Sequence, residues 1–111
     1  YRLSDNQLII SLMAAQRQNN WKTLRRTLGD NRLTTAGDEE MLRITGYPSG
    51  AVSPLGLPNP LRILADPAVF APQEISIGSG IRGTTVILRS ADLQRALPNV
   101  ELVPLGKSDS L

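Results

Sequence analysis

The sequence predicts a mixed α/β fold in which a mixed β-sheet carries about three helices. Three observations predict it. Short β-branched apolar runs recur, the clearest at residues 8–13 and 84–88. Three other segments place apolar residues at helical spacing between residues suited to helix ends. Strands and helices alternate in the first half and strands dominate the second, an order that suits a mixed sheet better than a doubly wound parallel one. The 111 residues amount to one domain. With aromatics at only 4%, its core must be built from Leu, Ile and Val.

Residues 1–13 read as two extended stretches around a turn at Ser4-Asp5-Asn6, whose side chains bond nearby backbone groups. Residues 8–13 form the buried one. Asn19 and Asn20 are N-cap candidates for a helix with Trp21, Leu24 and Leu28 on one stripe, and Gly29 stands at its C-cap. Residues 32–36 predict a short strand with Leu33 inward. Asp38 is the expected N-cap of a second helix, and Glu39 and Glu40 suit the positive end of its dipole. Met41, Leu42 and Ile44 supply its apolar side, and Gly46 ends it. After a long loop, residues 61–64 predict a strand, Ala65-Asp66-Pro67 a turn, and 68–70 a short turn or bridge. Residues 74–77 and 84–88 predict a hairpin around a wide glycine-rich turn. Ser90 is the expected cap of a last helix bearing Leu93 and Leu97, which Pro98 stops. Residues 100–103 read as an edge strand and 104–111 as a frayed tail.

Cysteine and histidine are both absent. This chain therefore supplies no disulfide, no Cys nucleophile, no Cys/His zinc site and no His-based triad. A reducing cytosol fits that composition. No apolar run approaches the ~18 residues of a membrane span, and no leader of basic then apolar character is apparent. Residue 1 is Tyr, so the chain is expected to be processed, excised or incompletely represented at its start. Ten Arg and two Lys give a net charge of +2, and Arg17, Lys22, Arg25, Arg26 and Arg32 fall close together with only Asp30 opposing them. Such a group is either a solvated helix face or a contact for nucleic-acid backbone, which arginine's planar fork suits.

Two glycine-bearing segments stand apart. Residues 46–60 hold three Gly and four Pro among apolar Val52, Leu55 and Leu57, a pattern of an ordered loop rather than a linker. Gly78-Ser79-Gly80-Ile81-Arg82-Gly83 spells Gly-x-Gly-x-x-Gly, yet a strand follows it where a dinucleotide site requires a helix. No Walker loop is present. Both segments let backbone N–H groups approach a ligand closely; the alternatives are a rigid connecting loop and a plain hairpin turn.

The run Thr45-Gly46-Tyr47-Pro48-Ser49-Gly50-Ala51-Val52-Ser53-Pro54-Leu55-Gly56 resembles the signature of the YbaK family, the editing domains associated with prolyl-tRNA synthetase, approximately T-G-Y-x-x-G-G-x-S-P-x-G. Leu24, Leu28 and Gly29, Ala36, Asp66, then Gly78, Gly80, Arg82 and Gly83, and finally Asp92-Leu93 follow the family's order, so the resemblance runs from about Leu8 to Leu97. It implies a single editing-type domain over 1–111 with a mixed, partly barrel-like sheet. It implies a cytoplasmic aminoacyl-tRNA deacylase, free-standing or inserted in a synthetase, that hydrolyses the ester of a mischarged tRNA without metal or cofactor. The substrate residues it implies are Gly50, Ala51, Val52, Ser53, Pro54, Gly56, Gly78, Ser79, Gly80 and Arg82, with Gly50 and Ser53 nearest the chemistry. Lys22, Arg25 and Arg26 are the implied tRNA contacts. The family lysine would fall just before Tyr1, so the chain is expected to lack the domain's N-terminal part. Ala51 stands where the family has a second glycine, and Pro58-Asn59 and Thr85 depart from the cysteinyl-tRNA(Pro) deacylase branch. The competing readings are a non-catalytic tRNA-binding or regulatory module of the same fold, and a structural protein whose Pro/Gly loop holds no ligand.

Overall fold

The structure, a computed structural model, describes residues 1–13 and 21–105. The expected N-caps Asn19 and Asn20, Arg17 of the basic group, and tail residues 106–111 lie outside the described residues.

Strand β1 (Ile9–Leu12) and strand β2 (Arg62–Ala65) pair in parallel, Ile9 opposite Arg62 and Leu12 opposite Ala65. Strand β5 (Glu101–Leu102) lies parallel on the other side of β2, giving the order β1-β2-β5. Parallel strands need long crossovers. Helix α1 (Trp21–Leu28), helix α2 (Asp38–Thr45) and the Pro/Gly loop fill the first of these. Strand β3 (Glu74–Gly78), strand β4 (Thr85–Arg89) and helix α3 (Ser90–Ala96) fill the second, after a 3-10 turn at Pro67–Phe70. β3 and β4 form a separate antiparallel hairpin. The mixed α/β class and the three α-helices agree with the sequence. The strands form two sheets rather than one, and these do not close into a barrel among the described residues.

The parallel sheet is buried on both faces, as its near-continuous apolar strands require. On one face Ile9 and Leu64 pack with Leu24 of α1, Leu33 and Leu105. On the other, Ile63 packs with Leu93 of α3 and Leu97 at that helix's C-cap, against Ile75, Ile77 and Leu88 of the hairpin. Alternation along β1 and β2 assigns successive residues to opposite cores.

Several boundaries move for identifiable reasons. Residues 32–36 do not form a strand: only Thr34 pairs, through reciprocal backbone bonds with Arg2 of 2.7 and 3.0 Å, while Leu33 anchors the segment in the core. The N-cap of α2 is Gly37, whose carbonyl accepts the Met41 N–H at 2.9 Å, so Asp38 becomes its first helical residue rather than its cap. Arg89 replaces Ser90 as the N-cap of α3, because the Ser90 N–H still bonds Gln73 O, extending the hairpin ladder. The expected fraying is corrected at Leu105, which is fully buried and donates its N–H to Asp66 Oδ2 at 2.9 Å. Asp66 Oδ1 accepts from Ala68 N, so one buried carboxylate caps the 3-10 turn and fastens the chain beyond β5.

Two polar tethers hold the outside. Arg62 makes a forked pair with Glu101, joining β2 to β5 at 2.6 and 2.9 Å. Asp30 accepts the backbone N–H and hydroxyl of Ser4 and the N–H of Arg32. These donors, the Ser4 N–H first, hold its carboxyl below the usual carboxylate range.

Candidate functional site

The Pro/Gly loop is built around Tyr47. The Tyr47 N–H donates to Thr45 Oγ1 at 3.0 Å, and the Thr45 hydroxyl donates to Met41 O at 2.6 Å, tying the loop's start to the last turn of α2. The Tyr47 hydroxyl crosses the loop to donate to Leu55 O at 2.5 Å. Its ring lies so close to the hairpin turn that a Cβ on Gly80 would sit 2.8 Å from Cε1. One aromatic side chain thus spans the loop and supports the turn.

The same loop and turn are joined by one main-chain bond and one from a side chain. The Gly80 N–H donates to Ala51 O at 2.9 Å, and Arg82 Nε donates to Ser49 O at 2.9 Å. Gly78 sits against the loop backbone: a Cβ there would lie 2.2 Å from Val52 O and 2.9 Å from Val52 C. Only glycine permits that approach. The result is a wall of two backbone segments, residues 49–52 and 78–80, in contact without intervening side chains.

Two clefts meet at this wall, both lined by Ser11, Val52 and Gly78. The first, about 420 Å³, is walled further by Tyr1, Leu8, Ile10, Met41, Thr45, Ser49 and Gly50. The second, about 490 Å³, is walled by Leu12, Pro54, Val69, Glu74, Ile77 and Leu93 among others. The first has the size of a small-ligand site, mostly apolar with a few hydroxyls and exposed backbone.

Of the residues implied by the sequence, Gly50, Val52, Pro54 and Gly78 line these clefts. The others shape the walls. Ala51 is buried at 2% exposure and supplies the carbonyl for Gly80. Ser53 is buried, and its Oγ accepts the Leu55 N–H at 3.1 Å, a turn-stabilising bond inside the loop. Gly56 lies against the Tyr47 hydroxyl. The Ser79 hydroxyl donates to Thr84 O at 2.8 Å and accepts the Ile81 N–H, closing the hairpin turn. Arg82 has its Nε on Ser49 O, with the side chain otherwise exposed. Lys22, Arg25 and Arg26 are exposed on α1. Sequence reasoning did not single out Tyr1, Ser11, Thr45 and Tyr47 as site residues. Ser11 was detectable as the one polar residue in an apolar strand, and Tyr47 as the large residue amid Gly and Pro.

Among the described residues no three His, Cys, Asp or Glu side chains converge to hold a metal ion. No helix among them is long and apolar enough to cross a membrane.

Comparison with known proteins agrees with this architecture. The family described as the aminoacyl-tRNA editing domain matches residues 1–96. The multifunctional Ser/Thr-tRNA deacylase ProXp-y of Escherichia coli K12 is 32% identical over 91 residues, 81% of this chain and 54% of that protein. A proline–tRNA ligase of Trichlorobacter lovleyi is 35% identical over 75 residues, 68% of this chain and 13% of the ligase. The chain thus spans about half the length of the curated deacylase it matches. The crystal structure of hypothetical protein APE2540 superposes with a TM-score of 0.82 at 18% identity, covering 96% of this chain and 69% of that one, and so shares the fold. A match over residues 1–96, a relative above 30% identity and the paired loop and glycine turn together place the chain in the aminoacyl-tRNA editing domain family.

Proposed function

We propose that the chain carries the substrate cleft of an aminoacyl-tRNA deacylase, which hydrolyses the ester joining a wrong amino acid to its tRNA. The observation that carries this reading is the all-backbone wall of residues 49–52 and 78–80 beside the 420 Å³ cleft. Water adds to the ester carbonyl carbon, and the acyl carbon–oxygen bond then breaks, releasing the amino acid and restoring the ribose hydroxyl. The charge developing on the carbonyl oxygen needs fixed donors, and this reading gives that task to the backbone N–H groups of Gly50 and Val52, since the Ala51 N–H is held by Pro48 O at 3.0 Å. With no His or Cys in the chain, the work falls to positioning of ester and water, aided by the neighbouring ribose hydroxyl. In this reading Ser53 keeps the loop in shape, and Arg82 holds Ser49 while its outer nitrogens face phosphate or ribose. Lys22, Arg25 and Arg26 serve the tRNA backbone.

The test is a deacylation assay with a panel of mischarged tRNAs, among them seryl- and threonyl-tRNA, because a relative at 32% identity is named a Ser/Thr-tRNA deacylase. Ester loss above the spontaneous rate on at least one is the expected result; none on any defeats the proposal. A second reading, a tRNA-binding module without hydrolysis, is favoured by one observation: neither described cleft is lined by lysine. It predicts tRNA binding with no ester loss.

A further inference from the structure

An exposed aromatic and cationic ledge adjoins the first cleft. Leu24 takes the fully buried position of α1, and this leaves Trp21, three residues earlier, 38% exposed. The Arg25 guanidinium lies over the Trp21 ring with Cζ 5.4 Å from its centroid, the reach of a cation–π pair one helical turn apart. Tyr1 meets the same indole edge-on, centroids 5.2 Å apart and planes at 89°. Tyr1 also lines the cleft that holds Gly50. Cleft, Tyr1, Trp21 and Arg25 therefore form one connected surface. The exposed charges of α1 itself are all of one sign: Lys22, Arg25 and Arg26 are exposed, and the helix has no acidic residue.

Arg25 and Arg26 also complement the negative end of the helix dipole, which alone would explain two cations in the last turn. It explains neither an exposed indole among them nor its continuity with the cleft. Stacking surface interleaved with cations is the chemistry that binds unpaired nucleic acid, because every base offers a π-face and every linkage a phosphate.

We propose that the Trp21 ring face opposite Arg25, with Tyr1 braced edge-on against the indole and Arg26 on the same helix, is a stacking platform for an unpaired base in the single-stranded 3′ end of an RNA whose esterified terminus enters the cleft. The assignment rests on the deacylase reading for its substrate, but its test does not need the ester. Trp21 is the sole tryptophan, so its fluorescence reports on the platform directly. The probe is an uncharged single-stranded oligoribonucleotide of about eight nucleotides, compared with the same sequence in a blunt duplex. The single strand is expected to quench Trp21 saturably and more strongly than the duplex.

By anisotropy of the labelled single strand, Trp21→Ala is expected to weaken binding roughly 5- to 150-fold, the range for one lost base stack. Trp21→Leu keeps apolar bulk against Tyr1 without a π-face. It gives the same weakening in a folded protein where the alanine variant does not fold. Arg26→Gln is expected to reduce the salt dependence by about one phosphate's worth and keep the preference for single strands. Equal quenching by the duplex, or a Trp21→Leu variant binding within about twofold of the parent, overturns the platform. The two proposals fail separately. Absence of ester hydrolysis with quenching intact defeats the deacylase alone, and hydrolysis with no effect of Trp21 replacement defeats the platform alone.

Discussion

Replacing Gly78 with alanine places one methyl group against the backbone wall. That carbon would sit 2.2 Å from Val52 O, 2.9 Å from Val52 C and 3.1 Å from Ala51 C. Ordinary carbon contacts begin near 3.5 Å, so the loop and β3 must part by about 1 Å. All three obstructing atoms are main chain, so no rotamer change relieves the clash. Overpacking of this kind costs about 1–3 kcal/mol. A shift of that size also opens the 2.9 Å bond from Gly80 N to Ala51 O, worth about 0.5–1.5 kcal/mol. If the whole strain stays in the folded state, Gly78→Ala loses about 2–4 kcal/mol, a fall in Tm of roughly 10 °C or more for a domain this size. If the loop instead swings outward, the thermal loss is smaller and the cleft is displaced by about 1 Å, a misplacement that costs on the order of 100-fold in rate. Thermal denaturation and deacylation measured on one preparation separate the two. A variant with parental Tm and parental kcat/KM would refute the account of the wall.

Three other perturbations probe different parts of the scaffold. Tyr47→Phe removes the hydroxyl on Leu55 O and should cost about 1 kcal/mol in urea unfolding, with the loop amides near Leu55 exchanging faster; unchanged exchange there speaks against Tyr47 as the loop's cross-member. Asp66→Ala leaves the Ala68 and Leu105 N–H groups without their buried carboxylate and should cost about 3 kcal/mol or more, while Asp66→Asn retains one acceptor and should cost less; a loss under about 1 kcal/mol for the alanine variant refutes the double clamp. Asp30 has a folded-state pKa below its unfolded value, so its contribution is present above the unfolded pKa and is lost as pH falls through the folded one. Asp30→Asn should therefore flatten the acid limb of stability against pH, and an acid limb identical to the parent's contradicts that assignment.

The parts legible in the sequence were those fixed by local chemistry. The stripe of Trp21, Leu24 and Leu28 gave α1, and β-branched residues gave β4. The pairing of the Pro/Gly loop with the glycine turn was foreshadowed by two glycine-bearing segments that both admit close backbone approach, the first too apolar for a linker and the second read as a hairpin turn. Long-range decisions were not legible. The parallel pairing of β1 with β2 across about fifty residues depends on which cores Ile9 and Ile63 enter, and no local signal states it. Residues 32–36 have the composition of a strand and lack a neighbour along most of their length. The role of Ser53 was obscured for the opposite reason. A hydroxyl beside Gly and Pro suggests chemistry, yet a buried hydroxyl must first satisfy its own loop, and this one accepts from Leu55 N. Trp21 reads in sequence as a core residue of an amphipathic helix; its exposure follows from Leu24 occupying that place.

The contact between Gly78 and the Val52 carbonyl bears on how selectivity is inherited in such a cleft. A wall made of main chain keeps its position when the side chain of Val52 changes, whereas Ala51 is buried at 2% exposure and tolerates no such freedom. Substitution of Val52, which lines both clefts, can alter their surface by a methyl group or a hydroxyl at a time without moving the Gly78 contact. A change at residue 78 has the opposite character, since any side chain displaces the wall and resizes both clefts at once. Variation in the shape of the clefts is therefore channelled into the side chains that face them, and position 78 is held to a single residue type.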